Sequence, residues 1–166
     1  MNITHVLFSP NGRIGQQEYW IGVLILIAAN IIANFIPLLG FIISLALIWV
    51  GIAVYGKRLH DAGKTAWLHA LPWAVSIVLM TIGAVMAGGA VFAAMMGGGD
   101  DVDVATMLAG AGAASLFFLL SFVVWIAYTI WVGLLKGDAG DNRFGPAPGT
   151  AQTPPPAEPP AAPPAA

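Results

Sequence analysis

The chain has 166 residues, of which 58% are hydrophobic and 8% are charged, and its mean hydropathy is +0.84. In soluble domains about a quarter of the residues are charged, so this composition excludes an ordinary soluble protein and indicates a single membrane domain. The chain has no cysteine, which excludes disulfides, thiolate metal sites and cysteine nucleophiles, and the net charge of −2 matters less than where Lys and Arg lie.

The N-terminal segment 1–11 has no clear pattern, and it ends in Ser9-Pro10-Asn11-Gly12, which is typical of a turn. We expect order to begin near Gly12. The segment lacks the basic start of a secretory signal, so the apolar stretch after it is predicted to remain as an anchor. Gly15 is a candidate helix cap, with Glu18 placed favourably in the first turn.

Residues 21–55 form an apolar stretch without Asp, Glu, Lys, Arg or His. As one helix it would be about 52 Å long, against a hydrocarbon core of roughly 30 Å. Pro37 and Gly40 lie near its middle and predict a tight turn between two spans, about 20–36 and 40–57. Asn30 and Asn34 share a helix face, which predicts a hydrogen bond between helices, with a ligand or ion contact as the alternative.

The loop 57–66 separates the two apolar halves of the chain and contains three of the six Lys and Arg residues. We expect the second helix to run to about Ala62 and to end at Gly63. Lys57, Arg58 and His60 would then lie at the negative end of the helix dipole.

Asp61 is unfavourable at that helix end, so it should need a cationic partner. Thr65 is a candidate cap for the third helix, and Trp67 can anchor it at the lipid headgroups. The candidate partners of Asp61 are Arg58 and Lys64 in the loop, and Arg13 and Arg143 from elsewhere in the chain.

Two further apolar stretches predict spans at about 67–90 and 110–135, joined by a loop at about 96–106 that contains three Asp. The Ala- and Gly-rich residues 88–96 and 106–113 either extend the helices or fold back as an irregular hairpin. Small residues at four-residue spacing would allow the two helices to approach closely. These residues are Gly83 with Ala87, and Gly110 with Ala114.

Lys136 and Gly137 are typical of a helix C-terminus and should end the fourth helix. The tail 149–166 is rich in Pro and Ala and is predicted to be disordered, because it cannot bury enough apolar area to offset the entropy of ordering it.

With four spans, all six Lys and Arg residues fall on one side, and most Trp and Tyr residues lie near it. This asymmetry predicts that both termini and the loop 57–66 are cytoplasmic and that the loop 96–106 is periplasmic. The predicted fold is therefore an all-α membrane domain over residues 12–148, with four transmembrane helices in two antiparallel hairpins.

The loop sequence Lys57-Arg58-Leu59-His60-Asp61, followed by Gly63, Lys64 and Trp67, resembles the central motif of the DUF805 family of small bacterial inner-membrane proteins. Gly12-Arg13-Ile14 with Tyr19-Trp20, and Gly140 with Asn142-Arg143-Phe144-Gly145-Pro146, resemble its two flanking motifs. Gln16 departs from the family's usual second Arg, and Thr65-Ala66 replaces its Ser-Gly. The resemblance implies a multi-pass protein of the bacterial inner membrane and no particular activity.

The three motifs fall on the predicted cytoplasmic side, where their polar side chains could form one cluster. The cluster is either a structural network that joins the termini to the central loop, or a site for an anionic headgroup or phosphorylated ligand. The candidate residues are Arg13, Arg58, His60, Asp61, Asn142 and Arg143.

The sequence lacks the spacing of a catalytic, metal-binding or nucleic-acid-binding site, so we expect no enzyme, cofactor or metal. The predicted function is a noncatalytic module that binds anionic lipid or a protein partner at its cytoplasmic face. Membrane lipids, a protein partner or a second copy of the chain, as a homo-oligomer, are the expected partners. The alternative is a small transporter or channel subunit working as a homo-oligomer. Against it, apart from His69 near the end of a span, no ionisable residue lies within a predicted span, and ion-coupled transport normally needs one.

Overall fold

The computed structural model describes residues 2–36, 38–96 and 103–149. Within these ranges the chain contains no β-strand, only an isolated bridge between Asn142 and Gly145. The prediction of an all-α fold is confirmed. The helices are α1 (Ile3–Phe8), α2 (Gln16–Asn34), α3 (Leu39–Asp61), a 3₁₀ turn (Ala66–His69) that leads into α4 (Ala70–Met96), and α5 (Val104–Leu134).

Four of the described helices are long and apolar enough to cross a membrane, as the sequence predicted. They form two antiparallel hairpins, α2 with α3 and α4 with α5. All four helices are longer than the predicted spans. α2 has 19 residues and is about 28 Å long, whereas α5 has 31 residues and is about 46 Å long. The Ala- and Gly-rich ends of α4 and α5 therefore extend the helices instead of folding back.

The first hairpin begins and turns at glycines that the sequence singled out. Gly15 caps α2, and its backbone N–H donates to Glu18 Oε2 at 3.1 Å, as predicted. Gly40 lies against the carbonyl of Ala33, where a Cβ would come within 1.9 Å of the oxygen, so only glycine fits this turn. Pro37 is outside the described residues.

The predicted hydrogen bond between helices at Asn30 and Asn34 is wrong. Asn34 Nδ2 donates to Asn30 O at 2.8 Å and to Asn30 Oδ1 at 3.2 Å, so both bonds lie within α2. Both side chains are exposed at the end of the first hairpin that is distant from the loop 57–66. The i,i+4 spacing that placed them on one face also allows them to bond each other.

The second hairpin is held together by small residues, as predicted. A Cβ on Gly83 would lie 3.1 Å from Phe117 Cβ, and a Cβ on Gly110 would lie 2.3 Å from Ala90 Cβ. This close approach buries one stripe on each helix, while most of the surface of α4 and α5 remains exposed and apolar. Such a surface suits contact with lipid.

The expectation that order begins near Gly12 is wrong, because α1 packs against α3. Val6 of α1 is buried in the core, Lys57 Nζ donates to Val6 O at 2.8 Å and to His5 O, and Trp49 Nε1 donates to Phe8 O at 3.2 Å. A six-residue helix has too short a pattern to be recognised from sequence, and its partners come from α3.

The start of α2, the end of α3, the start of α4 and the end of α5 lie together, and we call this region the polar end. It contains all six Lys and Arg residues of the chain, as predicted. α5 ends at Leu134, so the prediction that Lys136 and Gly137 end this helix is wrong, and both residues lie in the segment after it. Residues 97–102 of the predicted periplasmic loop and 150–166 of the predicted disordered tail lie outside the described ranges.

Candidate functional site

Three charged side chains from two segments meet at the centre of the polar end, and we call them the triad: Arg13, Arg58 and Asp61. Arg13 Nε and Nη2 donate to Asp61 Oδ1 at 3.1 and 2.9 Å, and Arg58 Nη1 donates to Asp61 Oδ2 at 2.5 Å. All three residues are buried. Asp61 thus has both a local and a remote cationic partner, as its position at a helix C-terminus predicted.

The two arginines also bind the segment that follows α5. Arg58 Nη2 donates to Leu135 O, and Arg13 donates to Asp138 O at 2.6 Å and to Gly140 O at 2.7 Å. The last carbonyls of a helix have no partner within the helix, and they lie at the negative end of its dipole. The triad therefore ties the end of α5 to the end of α3 and to the segment before α2.

Glycines allow the chain to approach the triad closely. A Cβ on Gly137 would lie 2.2 Å from Asp61 Oδ2, so no larger residue fits there without displacing the carboxylate. Gly63 adopts φ +66, which lets α3 stop directly after Asp61. The backbone N–H of Asp138 also donates to Asp61 O at 2.8 Å.

The other three predicted residues form an outer layer next to the triad. The ring of His60 stacks on Phe144 at 3.8 Å between centroids, and the Arg143 guanidinium lies 4.6 Å from the centroid of the same ring. Asn142 Nδ2 donates to His60 O at 2.9 Å and to Asp138 Oδ2 at 2.8 Å.

Arg143 is therefore not a partner of Asp61. Its Nη2 donates weakly to Gly63 O at 3.4 Å, and its side chain is exposed. Lys64 likewise forms no ion pair within the described ranges. The structure thus brings all six predicted residues to one region but separates them into a buried triad and an outer layer.

Sequence reasoning missed several contributors to this region. Gln16 Nε2 donates to Gly133 O at 2.9 Å, and Tyr19 Oη donates to Thr129 O at 2.9 Å. Gln16 stands where the resemblance led us to expect an arginine, and its amide binds the same carbonyl region as Arg58. The remaining partners are backbone carbonyls, which carry no residue-specific signal in a sequence.

Lys57 lies in the last two turns of α3, as predicted, but nothing in the sequence indicated that it would be fully buried there. The two carbonyls of α1 satisfy its ammonium group, and no carboxylate within the described residues forms an ion pair with it. Lys57 therefore adds a buried positive charge that forms no ion pair in the described part of the chain.

The charges at the polar end divide unequally between interior and surface. The buried cations Arg13, Arg58 and Lys57 face one buried carboxylate, Asp61, which leaves two positive charges in excess. The more accessible charged groups balance, because three cations are offset by three carboxylates. These groups are Lys64, Lys136 and Arg143, with Glu18, Asp138 and Asp141.

No group of three or more His, Asp and Glu side chains in the described part of the chain could hold a metal ion. At the opposite end, Asp103 caps α5 by accepting from the N–H of Ala105 at 3.1 Å. Hydrogen bonds from Thr106 lower the pKa of the Asp103 carboxyl.

Comparison with known proteins gives one family and no individual relative. The family model described as "Protein of unknown function (DUF805)" matches residues 7–146, which includes all the helices that could span a membrane and the whole triad. No curated protein and no solved structure matches the chain.

Proposed function

This chain belongs to the DUF805 family, whose function is unknown, and we propose that it is a noncatalytic module of the bacterial inner membrane that binds anionic lipid at its polar end. A protein partner or a second copy at the same face is the competing possibility. The proposal includes the predicted orientation, with the polar end on the cytoplasmic side, where anionic headgroups attract basic residues.

The observation that carries the proposal is the buried excess of two positive charges beneath a charge-balanced surface. Buried charges are screened by salt less than exposed ones, so this excess gives the polar end a positive potential. Lys64, Lys136 and Arg143 form no ion pair within the described ranges and are at least partly accessible. They are therefore available to headgroup phosphates, and each is worth about 1 kcal/mol near an anionic membrane.

The triad itself supports a structural role and not a headgroup site. Each of the three guanidinium nitrogens of Arg13 donates a hydrogen bond within the protein. Nη1 of Arg58 donates to Asp61, and its Nη2 donates to the carbonyl of Leu135 at the end of α5. A phosphate could reach these groups only by displacing the carboxylate or the segment after α5. We therefore assign the lipid contact to the accessible cations.

The test is native mass spectrometry of the full chain after extraction from vesicles of phosphatidylglycerol and phosphatidylcholine. We expect retained phosphatidylglycerol, and its loss in the triple variant Lys64→Gln, Lys136→Gln and Arg143→Gln at unchanged helical content. Asp141→Asn is the control of opposite sign, because it removes an exposed negative charge and should increase retention. Unchanged retention in the triple variant would contradict the proposal, and a co-purifying protein in place of lipid would favour the competing possibility.

A transporter or channel subunit is the second candidate function. The observation that favours it is a cleft between the two hairpins that contains His69, an ionisable residue within the candidate span Ala66–Met96. Solute flux through the reconstituted protein would support this second candidate, and anionic-lipid retention without flux would support the first.

A further inference from the structure

A cleft separates the two hairpins beyond the polar end. The hairpins contact each other chiefly near the triad and through Tyr19, Tyr55 and Thr129. Three adjoining cavities of about 360, 470 and 350 Å³ open between the helices beyond these contacts. Each is within the range of about 300–1,000 Å³ that ligand pockets occupy. The first cavity shares His69 and Trp73 with the second, and Tyr55 and Trp125 with the third.

His69 lies at the centre of the cleft, whose other polar lining residues include Asn30, Ser44 and Thr129. Its residue is 6% exposed, its ring stacks on Tyr55 at 4.6 Å, and its Nδ1 lies 3.3 Å from the hydroxyl of Tyr128. Its second ring nitrogen, Nε2, has no hydrogen-bond partner among the described residues. Nε2 is not one of the buried polar atoms without a partner, so this nitrogen is accessible from the cleft and free to bond a ligand there. When Tyr128 donates to Nδ1, Nε2 carries the proton and is a free donor.

The walls of the cleft restrict the chemistry of what it can hold. No Asp, Glu, Lys or Arg lines any of the three cavities, so an ionised headgroup has no counter-charge there. Trp73 and Trp125 pack edge to face at 5.3 Å, and together with Tyr55 they present flat aromatic surfaces beside His69. The remainder of the lining is mainly aliphatic and suits a hydrocarbon tail.

We propose that this cleft binds a prenylated quinone, with the quinone ring against Trp73 and Trp125 and one carbonyl oxygen accepting a hydrogen bond from His69 Nε2. A quinone is uncharged, has a flat ring with carbonyl acceptors, and carries a hydrocarbon tail. It therefore matches the donor, the aromatic walls and the absence of charge. The proposal concerns binding alone and does not depend on headgroup binding at the polar end.

The structure provides two variants that attack the site by different means. His69→Phe keeps an aromatic ring but removes the donor nitrogen. Gly51 lines the cavity that holds His69, and a Cβ there would meet nothing within 4 Å, so Gly51→Leu should fill the cleft without displacing the backbone. The matched controls are His5→Phe, at a residue that does not line the cleft, and Gly112→Leu, at a helical glycine of α5 that also has open space.

The experiment titrates the purified full chain in detergent with decyl-ubiquinone and follows tryptophan fluorescence, which a bound quinone quenches at Trp73 and Trp125. We expect saturable quenching in the wild type and in both controls. His69→Phe should weaken binding by about three- to tenfold, the value of one hydrogen bond. Gly51→Leu should abolish the saturable quenching. If this variant does not fold, Gly51→Ala takes its place and should weaken quinone binding by a smaller factor.

Quenching that does not saturate, or equal affinity in His69→Phe, Gly51→Leu and the wild type, would overturn the proposal. A parallel titration uses phosphatidylcholine with brominated acyl chains, which quench tryptophan without a quinone ring. If Gly51→Leu abolishes saturable quenching by this lipid and does not affect quinone binding, the cleft holds an acyl chain and the quinone assignment is wrong.

Discussion

Replacing Asp61 by Asn would remove the one negative charge of the triad and leave Arg13 and Arg58 buried beside a neutral amide. Removing one partner of a buried ion pair costs about 3–5 kcal/mol, because the remaining charge is uncompensated. The side chains of Arg13, Arg58 and Asp61 are at most 5% exposed, so solvent offers little screening. We therefore expect Asp61→Asn to lower the free energy of unfolding by about 3–5 kcal/mol.

Double-mutant cycles measure how much of this lost stability comes from the interaction of Asp61 with each candidate arginine. The cycles combine Asp61→Asn with Arg13→Gln, Arg58→Gln or Arg143→Gln and measure denaturant unfolding in detergent by circular dichroism. The first two cycles should give coupling energies of about 1–3 kcal/mol, because these guanidiniums contact the carboxylate. The third should be additive within about 0.5 kcal/mol, since Arg143 contacts Phe144 and Gly63 instead. Additivity of Asp61 with both Arg13 and Arg58, or strong coupling to Arg143 alone, would refute this reasoning.

Three other substitutions test contacts that the structure defines. Gly137→Ala should destabilise the protein by about 1–3 kcal/mol, because the added methyl group overlaps the carboxylate of Asp61. The control Gly140→Ala adds a methyl group in open space and should change the unfolding free energy by less than about 0.5 kcal/mol. Gly110→Ala should likewise destabilise the second hairpin, because its Cβ would overlap Ala90, while Gly112→Ala, in open space, should be neutral or stabilising by up to about 1 kcal/mol. Equal effects of the two variants in thermal unfolding would contradict the close packing at Gly110. Lys57→Met should release α1 from α3, seen as faster amide hydrogen exchange in residues 3–8, and unchanged exchange there would show that α1 docks without the lysine.

The number of helices and the gathering of charge at one end could be predicted from the sequence, because apolar length and Lys and Arg placement are one-dimensional signals. Gly15 with Glu18, and Gly63 after α3, also marked helix ends that the structure confirms. Asp61 was identified for a physical reason, since a carboxylate at a helix C-terminus needs a cation.

The assignment of partners within the polar end could not be predicted in the same way. Arg13 and Arg58 bind backbone carbonyls of the segment after α5, and a carbonyl has no identity in the sequence. The place of Lys57 near the end of α3 could be predicted, but its burial could not, because it depends on packing against α1, which has too short a pattern to be recognised. Asn30 and Asn34 satisfy each other within one helix, an outcome that their spacing permits as readily as a bond between helices.

Site-directed thiol labelling tests the central claim most directly, because the claim is that four spans place the polar end on the cytoplasmic side. The chain has no cysteine, so a single introduced thiol reports its own position without background from the rest of the protein. A membrane-impermeant maleimide should label Gly98→Cys in cells with a permeable outer membrane and an intact inner membrane. It should label Ala139→Cys only after the inner membrane is opened. Before the inner membrane is opened, three results would contradict the account. These are labelling of both positions, labelling of neither position, and labelling of Ala139→Cys without Gly98→Cys.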